Sequence, residues 1–298
     1  MTSVSALSFE IATTSRNTTL MPDADPLQRL VHDRFPRSAA YHPDWILANG
    51  SGGNALWLAE WLTEAMPLQP GMRVLDLGCG RLLSSLFLAR EFDVQVWATD
   101  LWVPATENQR RIVDAGFGDR VFPLHADARS LPFAAEFFDA IVCVDAFYYF
   151  GTDALYLNYL AQFVKPGGLI GVAGAGLSNE IPDSGVPDHL KAWWTQDLWC
   201  LQTAAWLSRL WSRTGIVDVE TADTMPDGWQ VWLDWHHQIA PDNHVEIAAL
   251  QADRGEHIGY VRAVGRRNGA AKLEDYCWPD PLRTFPAQEY QPLPLLRP

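Results

Sequence analysis

Short apolar runs alternate with amphipathic stretches through the middle of the chain. Apolar runs of strand length occupy positions 73–77, 94–98, 121–125, 138–144 and 169–173. Stretches with helical spacing lie between them at positions 84–91, 106–115 and 155–164. This alternation predicts an α/β fold in which helices cover both faces of a mostly parallel sheet. Two further strands are predicted at 217–220 and 258–264.

The regions that flank this alternation have different compositions. Residues 1–26 are rich in Ser and Thr and have neither the basic start nor the apolar block of a secretory signal, so we expect a flexible tail. Residues 27–70 predict a helical N-terminal cap, with Leu58, Trp61, Leu62 and Ala65 on one helix face. Residues 71–268 form the predicted main domain, and the proline-rich residues 269–298 predict an extended arm.

Tryptophan is concentrated after the fifth predicted strand. Trp193, Trp194, Trp199, Trp206 and Trp211 crowd a stretch that the pattern predicts to be helical. We expect a Trp-rich lid inserted at about 178–212. For any single aromatic residue in this stretch, ordinary core packing is the alternative interpretation.

Charge and cysteine usage narrow the classes of partner. The formal net charge of the 298 residues is −14, which repels nucleic-acid backbones and anionic membrane surfaces. The four cysteines include no C-x-x-C pair, and no metal-ligand spacing involves them, so we expect no metal. No stretch approaches the ~20 apolar residues that span a bilayer. These features predict a soluble, cytoplasmic protein.

A glycine loop follows the first predicted strand. Gly78 and Gly80 permit a tight turn and close approach of a ligand to the backbone. A tight strand-to-helix turn without a ligand would explain the glycines alone. Asp100, about twenty residues farther on, ends the next strand, where a carboxylate can accept hydrogen bonds from both ribose hydroxyls of an adenosine cofactor.

Two details distinguish among adenosine cofactors. Leu83 stands where a dinucleotide fingerprint has its third glycine, which disfavours a closely packed pyrophosphate. Asp76 lies within the strand just before the loop, where its charge would repel a diphosphate and suit a ligand bearing an amino group. A sulfonium-bearing zwitterion therefore fits better than NAD.

Five segments, in order, resemble the class I S-adenosylmethionine-dependent methyltransferases. The resemblance covers about 56–173, and more loosely continues to Arg267. The motifs are Val74-Leu-Asp-Leu-Gly-Cys-Gly80, Ala98-Thr-Asp100, His125-Ala-Asp-Ala-Arg-Ser-Leu-Pro-Phe133, Phe138-Asp-Ala-Ile-Val-Cys-Val144 and Val164-Lys-Pro-Gly-Gly168. They are most similar to the small-molecule branch that includes quinone and sterol methyltransferases and cyclopropane-fatty-acid-synthase-like proteins. The resemblance implies a Rossmann-like, seven-stranded sheet whose last strand is antiparallel.

The resemblance also implies roles for the residues of these motifs. Gly78, Cys79 and Gly80 would pass beneath the methionine portion of the cofactor, and Asp76 would orient the loop or bind the ammonium group. Asp100 would bind the ribose. The adenine would contact Leu101 or Trp102 on its face and Asp127 and Ala128 at its edge. Asp145, at the end of the fourth strand, would face the cofactor or cap a turn. Arg81 follows Gly80 where many members have a further glycine, which predicts a shifted methionine moiety.

The substrate side carries weaker signals. Tyr148 and Tyr149 follow the fourth strand and could line the site of methyl transfer, since aromatic faces attract a sulfonium. Among four histidines considered as a general base, His189 in the predicted lid is the preferred candidate. His125 is predicted to be a packing residue, and His236 and His237 a solvated pair.

These features predict S-adenosylmethionine-dependent methyl transfer to a small molecule, with an apolar or aromatic acceptor as the hypothesis. Two alternatives stay open. The first is an NAD-dependent oxidoreductase on the same scaffold, and the second is a methyltransferase-like protein that binds the cofactor without catalysis. The C-terminal arm could reach a neighbouring subunit, so a homodimer is one expectation.

Overall fold

The structure, a computed structural model, describes residues 30–273. Within them seven strands form one sheet, in agreement with the predicted α/β fold. The strands are β1 (Arg73–Leu77), β2 (Gln95–Asp100), β3 (Val121–His125), β4 (Phe138–Val144), β5 (Val164–Leu177), β6 (Val217–Thr224) and β7 (Ile258–Arg267). The predicted tail and most of the predicted C-terminal arm lie outside the described residues, and the boundaries proposed between domains stay predictions.

The order of strands across the sheet is β3-β2-β1-β4-β5-β7-β6. Neighbouring pairs from β3 to β5 are parallel, whereas β7 runs antiparallel to both β5 and β6. The predicted antiparallel last strand is therefore confirmed. The chain reverses its direction across the sheet beside β1, and open α/β sheets bind ligands at such a point, outside the carboxyl ends of the strands.

Helices cover both faces of this sheet. They are α1 (Pro43–Asn49), α2 (Ala55–Glu64), α3 (Leu83–Phe92), α4 (Ala105–Ala115), α5 (Tyr156–Leu160), α6 (Ala204–Thr214), α7 (Gly228–Ile239) and α8 (His244–Asp253). One apolar layer takes buried side chains from α2, α3 and α7, and a second takes them from α5 and α6. The central strands are buried on both faces, which explains why their sequences are continuous apolar runs. No helix within residues 30–273 is both long and apolar enough to cross a membrane.

The predicted helix at 155–164 and the strand after it have different bounds in the structure. The α-helix ends at Leu160, and β5 begins at Val164 rather than at Leu169. Val164 pairs with Phe138, while Leu169 pairs with Ala140. The intervening Lys-Pro-Gly-Gly segment is therefore an irregularity inside a long strand rather than a turn before a short one. Lys165 forms an ion pair there with Asp139.

The region predicted as a Trp-rich lid is only partly separate from the sheet. Trp211 is fully buried in the apolar layer that α6 forms on the sheet, so the prediction that this part is a lid is wrong. The helical prediction is also wrong for Trp193 and Trp194, which lie in a turn segment, and Trp199 lies on a short 3-10 helix. Amphipathic spacing alone could not separate a helix of the sheet layer from an inserted one.

Candidate active site

A cleft opens at the carboxyl ends of β1, β2 and β4, and the glycine loop after β1 forms its floor. Gly78 has a φ of +79°, and a β-carbon there would lie 2.5 Å from Cβ of Ala146. Gly80 has a φ of +51°, and a β-carbon there would meet only Oγ of Ser51, at 3.9 Å. Both glycines line the cleft, as does the predicted Cys79 between them. The backbone can therefore approach a ligand closely here.

Asp100, at the end of β2, holds the walls of the cleft together. Its Oδ2 accepts a hydrogen bond of 2.8 Å from the Gly80 amide. Its Oδ1 accepts bonds of 2.8 Å from the amides of Trp102 and Val103. The carboxylate lines both adjoining parts of the cleft, of about 760 and 830 Å³. Carboxylate oxygens can accept more than one bond each, so the predicted ribose contact remains geometrically available.

Asp76 lies behind the glycine loop. Its Oδ2 accepts hydrogen bonds from the hydroxyls of Ser84 and Ser85, at 2.7 and 2.6 Å. The side chain is completely buried, which raises its pKa to about 6. Asp76 is not among the residues that line the cleft. These bonds tie β1 to the first turn of α3, and both roles predicted for Asp76 toward the cofactor site stay predictions.

The part of the cleft near β3 contains the residues predicted to bind adenine. Leu101, Trp102, Asp127 and Ala128 all line it. The Arg129 guanidinium donates to both carboxylate oxygens of Asp127, at 3.0 and 2.7 Å, and this hydrogen bonding lowers the pKa of Asp127. Trp102 is 73% exposed at the mouth of the cleft, where its indole meets the Tyr149 ring edge to face at 5.3 Å.

Asp145 joins the cleft to a second cavity of about 900 Å³. Its Oδ2 accepts a 2.6 Å hydrogen bond from the Gly53 amide, and its Oδ1 accepts one of 3.1 Å from Ala175. Burial raises the pKa of Asp145 to about 6. The side chain lines the cleft, as the predicted cofactor-facing position requires, and it also accepts amide hydrogen bonds, as the predicted capping role requires.

The loop before α2 also belongs to the site, although no predicted site residue lies in it. Ser51 and Gly52 line the cleft, and the Gly52 carbonyl accepts a 2.7 Å hydrogen bond from Nε1 of Trp235. The signal was present as the glycine-rich Gly50-Ser-Gly-Gly53, which is followed by the helix-capping Asn54. Glycine pairs in a loop are common, however, and by themselves they do not indicate a ligand site.

The second cavity has aromatic walls and several polar groups. Tyr148 and Tyr149 line it as well as the cleft, as expected for residues at a transfer site. Burial raises the pKa of both phenols, so neither acts as a base near neutral pH. Further lining residues are Trp193, Asp197, Leu198, Leu201, Trp232, His236, Ile239 and Glu246.

The predicted general base, His189, lies elsewhere. Its Nε2 is 3.0 Å from Oδ1 of Asp253, and it does not line the cleft or the aromatic cavity. Nδ1 of His257 lies 3.1 Å from the same oxygen. The three residues present ligand atoms within 4.8 Å of one another, close enough for a metal ion, although no metal-ligand spacing was recognised in the sequence.

Two of the three other histidines considered as a base, His125 and His236, also differ from expectation. His125 was predicted to be a packing residue, but it is exposed and its Nε2 lies 2.8 Å from the Leu101 carbonyl. The prediction of a solvated pair is wrong for His236, which is buried with its Nε2 2.9 Å from Oε1 of Glu246. His237 is exposed, as predicted. The two histidines are adjacent on α7, and one side chain is buried while the other is exposed to solvent.

Comparisons with known proteins agree with this geometry. Residues 74–168 match a protein family described as a methyltransferase domain. Methyltransferase GfsG of Streptomyces halstedii is 28% identical over 127 residues, which cover 42% of this chain and 46% of the relative. The chain therefore matches less than half the length of this relative.

Solved structures extend the similarity to most of the fold. Geranyl diphosphate C-methyltransferase from Streptomyces coelicolor A3(2) superposes with a TM-score of 0.57 at 19% identity, covering 70% of this chain and 77% of that chain. The [4+2]-cyclase SpnF superposes with a TM-score of 0.58 at 19% identity, covering 74% and 84%. These comparisons lend no support to the NAD-dependent oxidoreductase alternative. Residues 74–168 therefore match a methyltransferase-domain family, and the chain has the fold of a class I Rossmann-like methyltransferase.

Proposed function

We propose that the chain binds S-adenosylmethionine in the cleft and transfers its methyl group to a small molecule in the aromatic cavity. The observation that carries this proposal is the seam between the two spaces. Asp145, Tyr148 and Tyr149 line both, so a cofactor and an acceptor would meet there. Curated relatives such as GfsG are named as methyltransferases, which supports the same reaction.

The residues of the cleft fit this cofactor. A side chain at Gly80 would project into space bounded only by Ser51, so the glycine leaves room for the ligand beside the backbone. Asp100 offers a carboxylate to a ribose diol, and Asp127 offers one to an exocyclic amine. No diphosphate needs to be accommodated beside the buried carboxylate of Asp76.

The cofactor supplies a methyl carbon that positive sulfur activates for in-line displacement. The protein's own contribution is alignment and exclusion of water. Asp100 and Asp127 would fix the adenosine, while the glycine loop supports the methionine portion. Tyr148 and Tyr149 would shield the reacting atoms, and their ring faces would attract the sulfonium by about 0.5–2 kcal/mol. A cytoplasmic location and a homodimer stay predictions.

Calorimetric titration with S-adenosylhomocysteine, and separately with NAD, tests the cofactor assignment. We expect the wild-type protein to bind S-adenosylhomocysteine and not NAD. Asp100→Asn should weaken this binding about tenfold or more, because an amide accepts fewer hydrogen bonds. Asp114→Asn, on the exposed side of α4, makes the same change of charge outside the cleft and should bind normally.

Three results would contradict the proposal: binding of NAD, binding of neither ligand, or equal affinity in Asp100→Asn and the wild type. A protein that binds S-adenosylhomocysteine but transfers no radiolabelled methyl group to any tested acceptor would instead support the non-catalytic alternative.

A further inference from the structure

His236, which is buried, and Glu246, which is half-buried, form a pair in the wall of the aromatic cavity. Nε2 of His236 lies 2.9 Å from Oε1 of Glu246. The indole of Trp232 donates to the same carboxylate oxygen at 3.0 Å, and the Asn243 amide donates to the other at 2.9 Å. Glu246 is therefore held by α7 and by the N-cap of its own helix, and in turn it fixes the imidazole ring.

The pairing determines which nitrogen of His236 is available. In the neutral ring, Nε2 carries the hydrogen that the Glu246 carboxylate accepts, which leaves the lone pair on Nδ1. Nδ1 is buried and has no hydrogen-bond partner among the described residues. A buried polar atom without a partner costs free energy, and a bound molecule that donates a hydrogen bond would recover it.

The shape and lining of the cavity indicate the kind of molecule. Trp193 and Trp232 meet edge to face at 6.0 Å, and Leu198, Leu201 and Ile239 complete an apolar wall. A flat aromatic body suits such walls. The cavity reaches the cofactor cleft at Asp145, so a polar substituent on this body would lie toward the transferred methyl group.

Other ionisable groups line the same cavity. Asp197 is exposed on its 3-10 helix, and Asp145 already accepts amide hydrogen bonds on both of its oxygens. The phenols of Tyr148 and Tyr149 hold their protons, because burial raises their pKa. Among the described groups in this wall, Nδ1 of His236 is thus a buried hydrogen-bond acceptor to which no group donates.

We infer that His236, oriented by Glu246, is the general base for methylation of a phenolic hydroxyl. This inference rests on the proposed function. The phenol oxygen forms its bond to the methyl carbon as the carbon–sulfur bond breaks, and the phenolic proton passes to Nδ1 of His236. The products are an aryl methyl ether and S-adenosylhomocysteine, and the protonated imidazole later loses its proton to water. A positioned base of this kind contributes about 10²- to 10⁴-fold in rate.

4-Nitrophenol is a suitable probe because its visible absorption reports its ionisation. The titration uses protein saturated with S-adenosylhomocysteine, at a pH about one unit below the solution pKa of the probe. We expect the wild-type protein to bind 4-nitrophenol as the phenolate. His236→Gln should bind it within a few-fold of the same affinity but as the neutral phenol. His237→Gln is the matched control on the exposed position of the same helix and should behave as wild type.

Glu246→Gln is a second variant, which keeps the imidazole and removes its orienting charge. It should reduce the ionised fraction, while retained binding of S-adenosylhomocysteine shows that either variant is folded. Equal ionisation in His236→Gln and wild type, a neutral bound phenol in wild type, or no binding of 4-nitrophenol would overturn the inference while leaving the cofactor assignment intact. Failure of the wild type to bind S-adenosylhomocysteine would overturn the proposed function and this inference with it.

Discussion

The amide of Gly53 donates a 2.6 Å hydrogen bond to Oδ2 of Asp145, which joins the loop before α2 to the carboxyl end of β4. The neighbouring Gly52 carbonyl is bonded to Trp235 on α7. The seam between cleft and aromatic cavity is therefore built from three segments that are distant in the chain. Each of them should influence ligand binding.

Trp235→Phe should loosen this seam. The change removes the hydrogen bond to Gly52 and part of a completely buried side chain, so we expect a loss of about 2 kcal/mol in the free energy of unfolding. S-adenosylhomocysteine should also bind more weakly. Urea unfolding and calorimetry measure the two effects. Trp199→Phe, at an exposed position, should change the stability little, and a similar loss in both variants would contradict the prediction.

Gly78→Ala should damage the floor of the cleft. Gly78 and Gly71 share a φ of +79°, but a β-carbon has nothing within 4 Å at Gly71 and lies 2.5 Å from Ala146 at Gly78. Gly71→Ala therefore measures backbone strain alone, about 1–2 kcal/mol. We expect Gly78→Ala to lose more stability than this and to weaken S-adenosylhomocysteine binding about tenfold or more. Equal affinities of Gly78→Ala and Gly71→Ala for S-adenosylhomocysteine would contradict this prediction. They would show that the clash with Ala146 is relieved without moving the loop.

Asp127→Asn should impair recognition of the adenine edge. Loss of a charge-assisted hydrogen bond predicts about tenfold weaker binding of S-adenosylhomocysteine. S-inosylhomocysteine has an oxygen in place of the exocyclic amine, so the same substitution should weaken its binding much less. Calorimetry with both ligands therefore distinguishes a direct contact to the exocyclic amine from a general weakening of binding. A uniform loss for the two ligands would mean that Asp127 acts only by positioning Arg129.

The glycine loop and the ends of β1, β2 and β4 could be predicted because their signals are local. Gly78 directly follows β1, Gly80 lies two residues farther on, and Asp100 ends β2. The ends of parallel strands meet at one edge of the sheet. The pairing of His236 with Glu246 had no such signal, since it depends on how α7 packs against α8. His189 was preferred for its place in a predicted lid, and the structure instead pairs it with Asp253.

Asp76→Asn should flatten the pH dependence of stability. The pKa of Asp76 is about 6 in the folded protein against 3.8 for an exposed carboxyl, so the folded state binds more protons between these values. The ionisation of Asp76 therefore destabilises the wild-type protein as the pH rises from about 4 to above 6. Between pH 5 and 7.5 this group alone lowers the free energy of unfolding by about 1 kcal/mol. The variant lacks this contribution, so its stability relative to wild type should rise over the same interval. Urea unfolding across this range measures it, and parallel curves for the two proteins would contradict the buried-carboxylate assignment.

The hydrogen bond from Trp235 to Gly52 spans 183 positions of the chain. During synthesis, the strands that carry the glycine loop and Asp100 leave the ribosome well before α7 does. The loop at 50–53 can take its final place only after residue 235 has emerged. The residues of the adenosine half are thus synthesised before the helix that completes the half facing the acceptor.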